Sequence, residues 1–346
     1  MIMNPYIADI LAQPEALRAA VNSFSPVKLL PLCDQLQSGS FDRLILSGMG
    51  SSFYAAYPAY LRLSHLPLPV LLLNGAELLH SLQPAIGERS LLWLNSQSGK
   101  SAELVNLTAA IKSQPPAAML ACVNDLTSPL AQAAQVCLPI HAGEEATVST
   151  KTYINMLAVN LLVTEYLMSG NIEALKSELL AAADAMQLYL ARWQTLIPEL
   201  DDLVGDFETL MILGRGTSLS AVWNGSLINK EAAKCAFEGM QAADFRHGPL
   251  ELAAPGFTAL IFAGAPETRA LNRALALEIM EYGGRALWVD QTLDAGFATI
   301  LISETSEHVR PLVEILPLQM LTLVMAQRKG IQVGHFRHVG KVTDRE

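Results

Sequence analysis

The sequence predicts an α/β protein of two tandem doubly wound, parallel-sheet domains joined by helical connectors, and three observations carry that prediction. Apolar runs of about four to six residues alternate with helical segments along most of the chain, the pattern of parallel strands buried on both faces. Two of the runs stop in glycine and hydroxyl residues just where a helix restarts: residues 44–46 lead into Ser47-Gly48-Met49-Gly50-Ser51-Ser52, and residues 91–94 into Asn95-Ser96-Gln97-Ser98-Gly99-Lys100-Ser101. Residues 209–213, leading into Gly214-Arg215-Gly216-Thr217-Ser218, repeat the first of these. Gly216 falls 166 positions after Gly50, which implies a duplicated unit.

In chain order, residues 1–40 read as a lead-in of one or two helices punctuated by Pro14, Pro26 and Pro31. Residues 41–170 form the first domain, with strands near 44–46, 70–73, 91–94, 119–123 and 136–140 and a long apolar helix over 152–168. Residues 171–205 are a helical connector whose Leu, Ala and Met stripe suits core or dimer packing. Residues 206–330 form the second domain, with strands near 209–213, 259–262 and 286–289 and a helix over 316–328, and residues 331–346 are a C-terminal tail.

The balance of residues excludes several classes of function. A net charge of -10 leaves no basic stripe for nucleic acid. The longest apolar stretches, such as 315–326, are broken by Pro317, Gln319 and Thr322, short of the roughly 20 apolar residues of a membrane helix. The N-terminal residues lack a basic cluster followed by an apolar core, so a cytoplasmic location is expected. Cys33, Cys122, Cys137 and Cys235 are scattered and read as reduced core thiols, with no CxxC pair.

A strand that ends in hydroxyls and a glycine at a helix start aims several N–H and O–H groups at one spot, which suits a phosphate. Ser96, Gln97, Ser98 and Ser101 donate without adding charge, and Lys100 offers a cation. In a doubly wound sheet this loop and Gly50-Ser51-Ser52 lie side by side at the carboxyl ends of their strands. An ordinary turn with helix-capping serines has the same composition. A third hydroxyl-rich helix start, Thr147-Val148-Ser149-Thr150-Lys151, with Ser149 or Thr150 as N-cap, favours the phosphate. The second half offers only Phe262-Ala263-Gly264-Ala265-Pro266 at the matching place, so one phosphate site is expected, in the N-terminal half.

Together with the repeats, Ser96-Gln97-Ser98-Gly99, Val148-Ser149-Thr150-Lys151 and Phe245-Arg246-His247-Gly248-Pro249-Leu250 resemble the double SIS (sugar isomerase) proteins over nearly the whole chain. These include the isomerase half of glucosamine-6-phosphate synthase, aminosugar-phosphate deaminases and fructosamine-6-phosphate deglycases. The resemblance implies two flavodoxin-like domains and a phosphate grip by Ser51, Ser52, Ser96, Gln97, Ser98 and Ser101, with Gly50, Lys100, Ser149 and Asn224 as further substrate contacts. It aligns Glu231 with a proton-shuttling glutamate, His247 with a ring-opening histidine that relatives borrow from the neighbouring subunit, and Lys341 with a tail lysine closing over the sugar. Alone, Glu231 beside Lys230 reads as a solvated pair, His247 as a turn residue and Lys341 as surface.

Asn224, Ile228 and Glu231 share one helix face by their spacing. By the resemblance, the synthase holds a glutamate and a lysine at the first two of these positions. Ile228 removes that cation and makes the site drier, so synthase-type isomerisation is not expected. No Cys follows Met1, so glutamine hydrolysis is not expected either.

A Glu and His pair over a phosphate clamp resembles the minimal set of the deglycase branch, as does the run FRHGPLELAAPG over residues 245–256, and this resemblance implies cleavage of the C–N bond in an amine-bearing hexose 6-phosphate, through an enediol or enolamine. An aldose-ketose isomerase and a non-catalytic sugar-phosphate regulator are the alternatives. Neither a metal nor an organic cofactor is expected, and the expected partners are the sugar phosphate and at least one further copy of the chain, without nucleic acid or membrane.

Overall fold

The computed structural model describes residues 3–338, 340, 341 and 345. It contains two five-stranded sheets, in each of which every strand pair is parallel. The first is built from β1 (Arg43–Gly48), β2 (Val70–Asn74), β3 (Ser90–Ser96), β4 (Ala118–Val123) and β5 (Val136–Pro139), in the order β2-β1-β3-β4-β5. The second is built from β6 (Thr209–Gly214), β7 (Glu238–Gln241), β8 (Phe257–Phe262), β9 (Arg285–Asp290) and β10 (Ala298–Leu301), in the order β10-β9-β8-β6-β7. Counted from its own first strand, each sheet has the order 2-1-3-4-5, in which the winding reverses beside the first strand.

The chain divides into two compact units. Glu15–Leu180 and the described residues from Arg337 onward form one, around the first sheet, while the segment up to Pro14 and Ala181–Phe336 form the other, around the second. In the first unit every residue of β3 and β4 is buried, as expected of central parallel strands with apolar sequences. Ile45, Leu92, Leu94 and Val123 pack with Leu104 and Leu107 of the Ala102–Ala110 helix. The helix Lys151–Leu167 has all but one of its residues buried, and Asn155 joins it to the loops by donating to Ile140 O and Ala16 O, both at 2.9 Å.

In the second unit Leu213, Phe245, Phe257, Ile261, Leu275, Ile279 and Trp288 form a core against the helix Pro266–Glu281. The helices Leu219–Ala233 and Pro311–Arg328 meet closely because Gly225 has no side chain: a Cβ there would lie 2.0 Å from Leu318 Cδ1. Tyr6 Oη bonds Thr322 Oγ1 at 3.1 Å and the Gln13 and Gln319 amides pair at 2.8 Å, which joins the segment up to Pro14 to this unit.

Some expectations need correction. The lead-in holds three helices, Pro5–Leu11, Gln13–Ser23 and Leu30–Gln37. The last helix begins at Pro311, five residues before the expected start, and carries Pro317 inside it. Strands β7 and β10 were not foreseen. Cys122 and Cys235 are buried, but Cys33 and Cys137 are only half-buried. Burial pushes the Cys122 thiol up to about 12, so it stays protonated and behaves as a small apolar group. Among the described residues no helix is long and apolar enough to cross a membrane.

Candidate active site

The two serine loops of the first unit leave adjacent strands. β1 pairs with β3 so that Gly48 lies opposite Asn95, and the winding of the sheet reverses between them, where doubly wound proteins hold their ligands. Gly48 allows this close approach, because a Cβ would meet Asn95 O at 3.0 Å and Phe53 N at 3.1 Å. After Gly50 (φ 49°) the chain enters the short helix Gly50–Ala55, with Ser51 and Ser52 half-buried in its first turn.

Beyond β3 the chain folds into a compact cradle. Ser96 Oγ accepts the Gly99 N–H at 3.1 Å and pairs with Ser101 Oγ at 3.1 Å. Ser98 Oγ accepts the Lys100 N–H at 3.1 Å, which leaves the Ser98 hydroxyl proton free to donate. Gln97 O is fixed by Asn124 N–H at 3.0 Å, and Gly99 O by Leu130 N–H at 3.2 Å. Gly99 turns the loop at φ 61°, and a Cβ there would fall 2.0 Å from Ser128 Oγ. The cradle therefore presents neutral hydroxyls and amides. The cation of the loop, Lys100, is held by Asp125 at 2.9 Å. The Thr127 hydroxyl first and Lys100 second hold the exposed Asp125 carboxyl down to about 2.

The third hydroxyl-rich helix start is organised differently from the expectation. Thr150 is the N-cap residue of Lys151–Leu167, but its side chain makes no capping bond. The carboxylate of Glu145, fully enclosed, takes that role. Its Oε1 accepts from Thr150 N–H (2.7 Å), Thr150 Oγ1 (3.0 Å) and Thr152 N–H (3.0 Å), and its Oε2 from Thr152 Oγ1 (2.6 Å) and from Lys341 Nζ. An internal anion thus occupies the positive end of this helix, and the helix start is not an open phosphate site. Ser149 Oγ pairs with Thr152 Oγ1 at 2.6 Å.

Sequence reasoning missed Glu145. The usable signal was a helix opening with Thr150-Lys151-Thr152 and no acid in its first turn, with Glu144 and Glu145 just upstream. The tail lysine is placed on that glutamate. Gly340 and Lys341 are described, while Val342, Thr343 and Asp344 lie outside the described residues.

The remaining candidates belong to the second unit. Asn224, Ile228 and Glu231 all lie in the helix Leu219–Ala233, the first two fully buried and Glu231 half-buried in the last turn. Neither side-chain atom of Asn224 has a hydrogen-bond partner among the described residues. His247 is exposed, in a turn after the one-turn helix Ala242–Phe245 that follows β7. Gly239 in β7 lets that strand lie against the helix backbone, since a Cβ there would come within 2.6 Å of Val222 O. The helix that carries Glu231 thus packs on β7 through its first half, and the turn that carries His247 follows that same strand. Arg246 forms an ion pair with Glu278 at the base of the His247 turn. Among the described residues no group of three or more His, Cys, Asp or Glu is placed to hold a metal ion.

The candidates thus fall into two sets. Gly50, Ser51, Ser52, Ser96, Gln97, Ser98, Lys100, Ser101, Ser149 and Lys341 lie in the first unit, and Asn224, Glu231 and His247 in the second.

Comparison with known proteins agrees with the architecture. Residues 40–165 match the SIS domain family, and the match covers this one stretch rather than two. Over 343 residues the chain is 27% identical to the isomerizing glutamine–fructose-6-phosphate aminotransferase of Pyrococcus horikoshii, which takes in 97% of the chain and 56% of that relative. The chain therefore spans little more than half the length of the relative.

Among solved structures, the C-terminal domain of glucosamine-fructose-6-phosphate aminotransferase from Francisella tularensis superposes with a TM-score of 0.85 at 20% identity, covering 96% of this chain and 99% of that one. Glucosamine-6-phosphate deaminase from Thermotoga maritima does so with a TM-score of 0.79 at 18% identity, covering 98% and 99%. At these identities the two likenesses show the fold. Residues 40–165 thus match the SIS domain family, and nearly the whole chain is similar to part of an isomerizing glutamine–fructose-6-phosphate aminotransferase.

Proposed function

We propose that the chain is an enzyme acting on an amine-bearing hexose 6-phosphate, and that it cleaves the C–N bond by acid-base chemistry without a cofactor. The observation that carries this reading is the cradle at the β1/β3 switch point, where a SIS domain gathers neutral hydroxyl and amide donors around one spot. Ser51, Ser52, Ser96, Gln97, Ser98 and Ser101 hold the phosphate. Hydrogen bonds from neutral donors to a charged acceptor contribute about 1.5–3 kcal/mol each, so two or three of them hold a phosphate dianion without a paired cation.

Glu231 removes the proton on the carbon beside the carbonyl or imine, giving an enediol or enolamine. Return of that proton to the neighbouring carbon turns the enolamine into an imine, water adds to the imine carbon, and His247, from this chain or from a second copy of it, protonates the departing amine as the C–N bond breaks and a carbonyl forms, or the ring oxygen on opening. Lys341, steadied by Glu145, supplies a positive charge near the sugar oxygens. Ile228, fully buried one helical turn before Glu231, puts an apolar side chain there in place of a second cation. This favours loss of nitrogen over the isomerisation named for the aminotransferase relative. An aldose-ketose isomerase is the second reading; it uses the same proton transfer, and the isomerizing relative favours it.

A panel of amine-bearing and plain hexose 6-phosphates, assayed for released amine and for isomer, separates the two. Glu231→Gln is expected to lower kcat by about 10²–10⁴, the usual contribution of general acid-base catalysis, with KM kept within about threefold because the phosphate grip is untouched. Full activity in E231Q would sink the mechanism, and binding without turnover of any panel member would make the chain a sensor.

A further inference from the structure

Lys234 stands one residue past the helix that carries Glu231. Its backbone is left-handed, with φ 56° and ψ 35°, a conformation that ends many helices and that glycine adopts without steric conflict. In a lysine the same conformation crowds Cβ against the following carbonyl. The side chain accounts for a lysine at this place. Its Nζ folds back to donate to the carbonyl of Glu231 and also reaches the carbonyl of His335 at 2.6 Å.

Two further bonds close the same knot. Lys329 Nζ donates to Lys234 O at 2.6 Å, and Gly334 N–H donates to Ala232 O at 3.1 Å. Asn4 Nδ2 holds the neighbouring Val333 O at 3.1 Å. The last carbonyls of a helix lack partners within it, and its C-terminal end attracts cations. Here Glu231, Ala232 and Lys234 each receive a donor, and two of those three donors are lysine ammonium groups.

We propose that Lys234 is a positioning residue: it fixes the main chain of Glu231 and, through His335, the point from which the C-terminal segment runs on to Lys341, six residues later. The proposal rests on the assignment of Glu231 and Lys341 to the chemistry. A helix end frays when its carbonyls are unsatisfied, and a displacement near 1 Å in a reacting group lowers rates by up to about 10²-fold. The staple restrains the Glu231 main chain and the start of the C-terminal segment with one side chain.

Lys234→Gly and Lys234→Arg test this. Glycine suits the backbone at 234, so K234G is expected to fold with unchanged or higher thermal stability. It should lower kcat about tenfold with KM within twofold, and hydrogen exchange should speed up across 329–336. K234R keeps a donor able to reach both carbonyls and should restore most of both effects. A wild-type kcat in K234G, or unchanged exchange at 329–336, overturns the proposal. E231Q in the same assays keeps the two ideas apart: if it retains full activity the acid-base assignment falls, and the exchange measurement alone still decides whether Lys234 holds the segment.

Discussion

The two sheets share a strand order and differ in what fills the crevice at the carboxyl ends of their strands. In the first, the loop after β3 ends in serines that bond mainly to one another and to loop N–H groups, with the Ser98 hydroxyl proton left to donate. In the second, the loops after β6 and β8 are occupied by the chain's own side chains. Ser218 Oγ donates to the buried Glu314 at 2.8 Å, Arg215 Nε to Asn272 Oδ1 at 2.8 Å, and Arg310 Nη1 to Gly264 O at 2.6 Å. The same topology thus makes a crevice twice, and loop chemistry decides whether the crevice accepts a ligand or is closed by internal partners.

The sharpest way to break this contrast is to add one methyl group to each crevice. Gly99→Ala places a Cβ 2.0 Å from Ser128 Oγ at φ 61°, so the loop must move as a whole. Losing two charge-assisted hydrogen bonds to phosphate is expected to weaken hexose 6-phosphate binding about 100-fold or more, read by calorimetry. Gly264→Ala meets only the side-chain ends of Asn272 and Thr268, at 3.2 and 3.3 Å, with φ 73°. It should cost about 1–2 kcal/mol of stability and leave affinity within about twofold. Comparable loss of binding in both variants would mean that the second crevice also takes ligand.

The closed crevice carries a pH signature near neutrality. Burial raises the Glu314 carboxyl to about 7, and this outweighs the opposing Ser218 bond and Arg310 charge. Its Oε2 has no hydrogen-bond partner among the described residues. The folded state therefore keeps the Glu314 proton at pH values where the unfolded chain has lost it. Stability is fully present below about pH 4.5 and declines as pH rises through 7, by up to about 3 kcal/mol in total. Glu314→Gln keeps an acceptor for Ser218 and removes the titration, so its urea midpoint should exceed that of the wild type increasingly from pH 5 to 8. A constant difference across that range would show that Glu314 does not titrate there.

How far each region was legible in the sequence follows from the same contrast. β1, β3, β4 and β8 announced themselves because a strand buried on both faces is a near-continuous apolar run. Glu238-Gly239-Met240-Gln241 and Ala298-Thr299-Ile300-Leu301 did not, because edge strands are partly exposed and short, and β7 contains a glycine required by helix contact rather than by strand propensity. Pro317 misled the start of the last helix, since a proline inside a helix normally ends it.

The serine cradle was legible because Ser96 to Ser101 are close in sequence. Glu145 was hidden because its partners Thr150, Thr152 and Lys341 come together only in the fold, the last from 196 residues away. Glu231 and His247 gained meaning only from the family resemblance, since neither a half-buried glutamate on a helix nor an exposed histidine in a turn carries a chemical signature of its own.

The smallest expected effect concerns Lys100, the cation of the open crevice. Its ammonium is half-exposed and spent on Asp125, and solvent screens exposed pairs of this kind so that they contribute little. Lys100→Ala is therefore expected to change KM for a hexose 6-phosphate by no more than about threefold. The Asp125 carboxyl should rise from about 2 while remaining below the ordinary carboxylate value of 3.8, because the Thr127 hydroxyl, its largest influence, remains. NMR titration of Asp125 alongside the kinetics checks both. A KM increase of tenfold or more with little change at Asp125 would show that Lys100 leaves its partner to meet the phosphate, and the cradle would then hold its ligand by charge as well as by neutral hydroxyls.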